Sequence, residues 1–184
     1  NAQRRNPSKS ADIAFERKQY NVAIERYKKA YKKTGKQKYE QERTYITHQL
    51  AECYRLTEAS KLAESQYKRL MRTEYPKENP EVYLNYANVL KRNQKYDLAA
   101  EIYAIYNELM PDDPRGFAAL EDMQYIQEWI DYPSKYEVTR LRKLNSKSAD
   151  FGIAWVSNNY NEVIFSSSRE GGLSKEKDAI TGQH

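Results

Sequence analysis

The stretch YANVLKRNQKYDLAAEIYAIYNELMP, Tyr86 to Pro111, decides how the rest of this chain is read. Apolar residues at helical spacing run up to a polar RNQK, and the pattern then resumes with Ala99 and, four residues on, Tyr103. Two helices joined by a short turn account for that order. Two upstream stretches align with it: ADIAFERKQYNVAIERYKKAY, Ala11 to Tyr31, and LAECYRLTEASKLAESQYKRLM, Leu50 to Met71. All three carry an Ala/aromatic pair at i, i+4, namely Ala23/Tyr27, Ala63/Tyr67 and Ala99/Tyr103, so the alanines recur at intervals of 40 and 36 residues. An alanine lets two helices approach closely, and an aromatic one turn later fills the space beside it. One helix pair cannot bury its apolar face alone, so stacked pairs share a core. These residues are read as packing residues, and function is sought elsewhere.

The pattern resembles the tetratricopeptide repeat, whose basic period is about 34 residues. The small first-helix position is filled by Ala11, Ala51 and Ala87. The turn aromatic is Tyr20 or Tyr96, with Ser60 in its place in the second repeat. The closing proline is Pro111 in the third repeat, falls at Pro76 in the second and is missing from the first. A fourth unit begins with DDPRG, where acidic residues and Pro114 signal a helix start. Residues 114–130 are read as a capping helix, because YPSKYEVTRL then breaks the pattern. The expected fold is all-α: a tetratricopeptide superhelix of about three and a half repeats over residues 1–132. A linker and a short β-hairpin-like or extended tail occupy 133–184.

Composition agrees with a thin helical structure. The 184 residues are 39% hydrophobic, with 17 tyrosines, six glycines and six prolines, and the mean hydropathy is −1.02. Tyrosine, apolar in its ring and wet at its hydroxyl, suits half-buried positions. The net charge is +5, much of it from RYKKAYKKTGKQK, Arg26 to Lys38. Basic residues near a helix C-terminus favour the macrodipole, and no nucleic-acid recognition motif accompanies them, so no nucleic-acid partner is expected. Cys53, the single cysteine, is read as a buried small hydrophobe. His48 and His184 are too far apart in sequence to suggest a metal site. No apolar run reaches the ~18 residues of a membrane span. No Gly-rich phosphate loop, nucleophile elbow or metal-ligand spacing is visible, so neither enzyme activity nor a cofactor is expected.

In stacked helix pairs the first helices line the concave face. Register places Tyr45, His48, Glu52 and Arg55 there from the second repeat, and Leu84, Asn85, Asn88 and Lys91 from the third. Arg115, Ala118, Asp122 and Tyr125 follow from the capping helix, and Asp12, Phe15 and Glu16 from the first repeat. Polar donors with aromatics between them suit an extended peptide, and the Asn88 amide offers a peptide backbone both donor and acceptor. Leu84 stands where carboxylate-clamp members of the repeat family have lysine, so a chaperone-tail clamp is not expected.

Beyond Leu144 two β-prone runs, GIAWV and EVIFSS, flank SNNYN, a hairpin pattern. FGIAWVSNNYNEVIFSSSREGG, followed by KDAITGQ, resembles the opening of a β-propeller blade in OmpA-family envelope proteins, with Phe165 to Arg169 as its most recognisable piece. Those proteins place a tetratricopeptide segment first, a propeller next and a peptidoglycan-binding domain last. The similarity points to the PorE-type components of type IX secretion. It implies a periplasmic location at the outer membrane and cell wall, docking of other secretion components, and peptidoglycan binding through a domain outside these residues. It also implies a blade continuing past His184, whose severed strands seek partners, self-association included. Two other readings stand beside it: a cytosolic adaptor gripping a peptide, and a glycan-binding module that stacks sugars on exposed tyrosines.

Overall fold

The computed structural model describes residues 7–34 and 40–170. The chain divides between Pro133 and Ser134 into two compact units. The first is helical. Three antiparallel pairs follow one another: α1 (Lys9–Glu16) with α2 (Tyr20–Lys33), α3 (Glu40–Leu56) with α4 (Ser60–Leu70), and α6 (Glu81–Arg92) with α7 (Tyr96–Leu109). The one-turn α5 (Tyr75–Glu78) sits between the second and third pairs, and α8 (Pro114–Asp131) closes the unit. Each helix packs on its neighbours in chain order, α4 reaching α6 past α5. This is a helical repeat, as the alanine spacing requires.

The core is built from the residues that define the repeat. Ala23, Ala63, Ala99, Tyr27, Tyr67 and Tyr103 are fully buried, as are the first-helix alanines Ala11, Ala51 and Ala87. Burying one such aromatic ring stabilises by about 2 kcal/mol, and one alanine methyl by roughly 0.8 kcal/mol. Cys53 is fully enclosed too, and burial pushes its thiol up to about 12, which leaves it unreactive.

Each pair turns through the same geometry. Lys18, Glu58 and Gln94 take positive φ of 58°, 61° and 61°. The amides that follow, of Gln19, Ala59 and Lys95, reach back to the carbonyls of Ala14, Tyr54 and Leu90, the longer of the two bonds of a Schellman motif. These positions recur at the same intervals as the alanines. A left-handed residue ends each first helix and aims its partner back along it. In the first and third pairs the next helix opens on Tyr20 or Tyr96. In the second it opens on Ser60.

The insertion between the second and third pairs has its own structure. Pro76 lies in the first turn of α5 and is buried. The extra residues of that interval include this packed helical turn.

The capping helix begins at Asp113, whose side chain accepts the Arg115 amide, with Pro114 at the first helical position. Gly116 lets α8 sit directly on α7. A Cβ there would stand 3.0 Å from Asn107 Oδ1 and 3.1 Å from Tyr106 Cδ1. Arg115 bonds Glu81, its counterpart one 34-residue step earlier, through two contacts of 2.8 Å. At that same step Ala87 and Leu90, buried in α6, become Glu121 and Gln124, exposed in α8. Two positions of the face that would stack a further helix are therefore polar, while Phe117, on the same stripe, stays 59% exposed.

The second unit holds a two-stranded antiparallel sheet, β1 (Asp150–Trp155) with β2 (Val163–Ser167). The register shifts between Phe151 and Ala154, where Gly152 takes φ +66°, the geometry of a bulge. Asp150 anchors the hairpin. It accepts from Ser167 at 2.6 Å, Arg169 at 2.7 Å and the Ser146 amide at 2.7 Å, and these bonds hold its carboxyl far below the usual range. Phe151, Ile153 and Trp155 remain exposed. Trp155 meets Tyr160 edge-on at 5.4 Å, and Arg169 lies 5.1 Å over the Phe165 ring. The strands thus have small local contacts in place of a core. Residues 1–6, 35–39 and 171–184, the last including Gly171, Gly172 and His184, lie outside the described residues.

Candidate functional site

The residues expected on the first-helix face fall into two groups. One group is consumed by the fold. In every pair the buried tyrosine of the second helix donates its hydroxyl to a first-helix acceptor fifteen residues earlier: Tyr27 to Asp12 at 2.8 Å, Tyr67 to Glu52, and Tyr103 to Asn88 at 2.8 Å. Burial, more than any other cause, pushes all three hydroxyls up, Tyr103 to about 12.

Glu52 is the hub of the second pair. It is only 8% exposed and also accepts two bonds from Arg55, at 2.6 and 3.0 Å, and one from Asn85 at 3.2 Å. A buried carboxylate needs such partners to remain there. Tyr45 donates to Asp12 at 3.1 Å, with burial the main reason its hydroxyl rises to about 12. His48 faces Tyr75 with ring centroids 5.3 Å apart and its Nδ1 3.2 Å from the tyrosine oxygen. Burial lowers its pKa against the opposing pull of Glu52.

Glu52 and Leu84 were expected to face a partner, and the structure corrects both. Leu84 lies in the core, 5% exposed, because α6 is an interior helix covered on both flanks. Glu52 is turned inward by Tyr67. Asn88 is exposed, but its carbonyl oxygen accepts from Tyr103. Only its amide protons and a remaining lone pair are left for a peptide. Arg115 is exposed and occupied by Glu81, Asp113 and Tyr106.

The second group forms an open groove. Lys91, Asp122 and Tyr125, all expected on this face, line it together with Tyr96, Ile126, Trp129 and Ile130, around 550 Å³ of space. Lys91 Nζ and Asp122 Oδ2 stand 3.4 Å apart at its rim. Trp129 is 70% exposed, Tyr125 57% and Ile130 51%. The groove exists because α8 is 18 residues long and α6 only 12, so the last turns of α8 extend beside the α6–α7 turn. The arrangement can seat an apolar side chain between aromatic walls and hold a charged neighbour at Lys91 or Asp122.

Ile126, Trp129, Ile130 and Tyr96 were not among the expected site residues. Two i, i+4 pairs at one helix end, Tyr125/Trp129 and Ile126/Ile130, were the available signal. Among the described residues, no group of three or more His, Cys, Asp or Glu could hold a metal, and no helix is long and apolar enough to cross a membrane.

No protein-family model and no curated protein matches this chain.

Proposed function

We propose that this chain is a non-enzymatic docking scaffold that holds partner proteins through the groove at α8. One observation carries the reading. The last helix of the repeat unit keeps Tyr125, Trp129 and Ile130 exposed around one concavity. Exposed aromatics cost solubility, and on a cap they mark an interaction site. The helical repeat is of the tetratricopeptide kind, supported by the shared alanine, tyrosine and turn positions. The sequence resemblance of residues 151–172 to a propeller opening supports a cell-envelope setting: a periplasmic, outer-membrane-associated component of type IX secretion that docks other parts of the machinery.

The test immobilises the purified chain and offers it the solubilised envelope proteins of the producing cell. A discrete partner retained by the native chain and lost from Tyr125→Ala/Trp129→Ala supports the reading. Equal retention by the variant sinks the groove. Retention of the chain on purified peptidoglycan, with no protein partner, transfers the assignment to glycan binding.

A further inference from the structure

The described residues of the basic run, 26–34, do not line the α8 groove. Lys28, Lys29, Tyr31 and Lys32 contribute to a different concavity. Glu25, Lys28, Lys29 and Lys32 form one stripe of α2, at i, i+3, i+4 and i+7. They stand across from Arg69 and Gln66 of α4, over a floor that includes Leu50 and Tyr54 of α3, and the space measures 360 Å³. Among the described residues, four cations meet there and one carboxylate, Glu25, which is bonded to Lys28 at 3.0 Å. The helix dipole accounts for basic residues in the last turns of α2 and α4, where Lys32 and Arg69 lie. It does not account for Lys28 and Lys29 in mid-helix, nor for two helices turning cations toward one apolar floor. Like charges so gathered repel one another, and an anionic occupant relieves that repulsion.

We propose that this α2–α4 groove is a second docking site, and that it takes an acidic, extended segment of a partner protein. An aliphatic side chain of the segment rests on Leu50 and Tyr54, while carboxylates on either side pair with Lys29, Lys32 and Arg69. The apolar floor favours a peptide over a bare phosphate chain, because it rewards a side chain that nucleic acid lacks.

Fluorescence anisotropy with a labelled peptide tests this, using glutamates flanking a central leucine as the probe. The native chain is expected to bind it saturably, more weakly as salt rises. Lys29→Gln/Arg69→Gln should weaken it about tenfold with an unchanged melting temperature, since both side chains are exposed. Replacing the central leucine by serine should weaken it several-fold, and Trp129→Ala should leave it unchanged. Absence of saturable binding overturns the proposal. So does equal binding by the Lys29/Arg69 variant, or tighter binding of an oligonucleotide of equal charge. Loss of binding in Trp129→Ala would show that no separate site exists.

Discussion

The three tyrosine–acceptor bonds allow one perturbation to be made three times in nearly the same geometry. Tyr67→Phe removes a hydroxyl from Glu52, which is charged and 8% exposed. A hydrogen bond to a charged group contributes about 1.5–3 kcal/mol. Water has poor access to replace it, but Arg55 and Asn85 continue to hold the carboxylate, so about 2 kcal/mol is expected. Tyr27→Phe deprives Asp12, which is half-buried and keeps bonds from Ser8 at 2.9 Å and Tyr45 at 3.1 Å. About 1 kcal/mol is expected there. Tyr103→Phe deprives Asn88, which is neutral and exposed, so water takes over and the loss is about 0.5 kcal/mol. Urea unfolding of the three variants, followed by circular dichroism, measures the series. The expected order is Tyr67, then Tyr27, then Tyr103. For a unit of this size 2 kcal/mol corresponds to roughly 6–8 °C in Tm. Equal losses, or a larger loss at Tyr103, would refute the reasoning that charge and burial at the acceptor set the value of the bond.

Other outcomes follow from single residues. Glu58→Gly and Gln94→Gly relieve side chains held at positive φ and should each raise stability by about 0.5–1 kcal/mol. A melting temperature below the native value would place strain elsewhere. Gly116→Val pushes a branched side chain against Asn107 and the buried Tyr106 ring. It should loosen α8, read as faster amide exchange over 114–131 with α1–α4 unchanged. His48 has a folded pKa below its unfolded value, so the unfolded chain binds the proton more readily. That contribution to stability is present above about pH 6.5 and lost as pH falls below it. In His48→Gln, stability between pH 7.5 and 5.5 should therefore decline less than in the native protein, and an identical decline would remove His48 as the cause. Ala63→Trp overfills a fully buried site and should abolish cooperative unfolding. A native melting temperature would show the alanine register to be wrong.

Much of the repeat was legible because packing repeats. Ala11, Ala51 and Ala87 recur at the same two intervals as Tyr27, Tyr67 and Tyr103, and one closely packed helix pair explains both series. The hairpin was legible because β-branched and aromatic residues flank SNNYN. What escaped was set by direction in space. A helical position fixes a face, but whether that face meets a neighbour depends on the following helices. Leu84 therefore read as groove lining and lies in the core. Glu52 read as a polar groove residue because nothing in one stretch of sequence says that Tyr67, fifteen residues on, points its hydroxyl at it. The groove was half legible. Lys91, Asp122 and Tyr125 were expected on the face, but the role of Trp129 and Ile130 depends on α8 running past the end of α6. Helix length, which decides this, is the least certain quantity in a sequence pattern.

The central claim is that the exposed aromatics of α8 are a docking site. Site-specific photocrosslinking tests it most directly. A photoreactive phenylalanine analogue replaces Trp129 in the full protein, inside cells that make it, and a second sample carries the analogue at Glu108 on the exposed side of α7. The account predicts one discrete protein adduct at position 129 and none at position 108. No adduct at 129, or the same adducts at both positions, would contradict it.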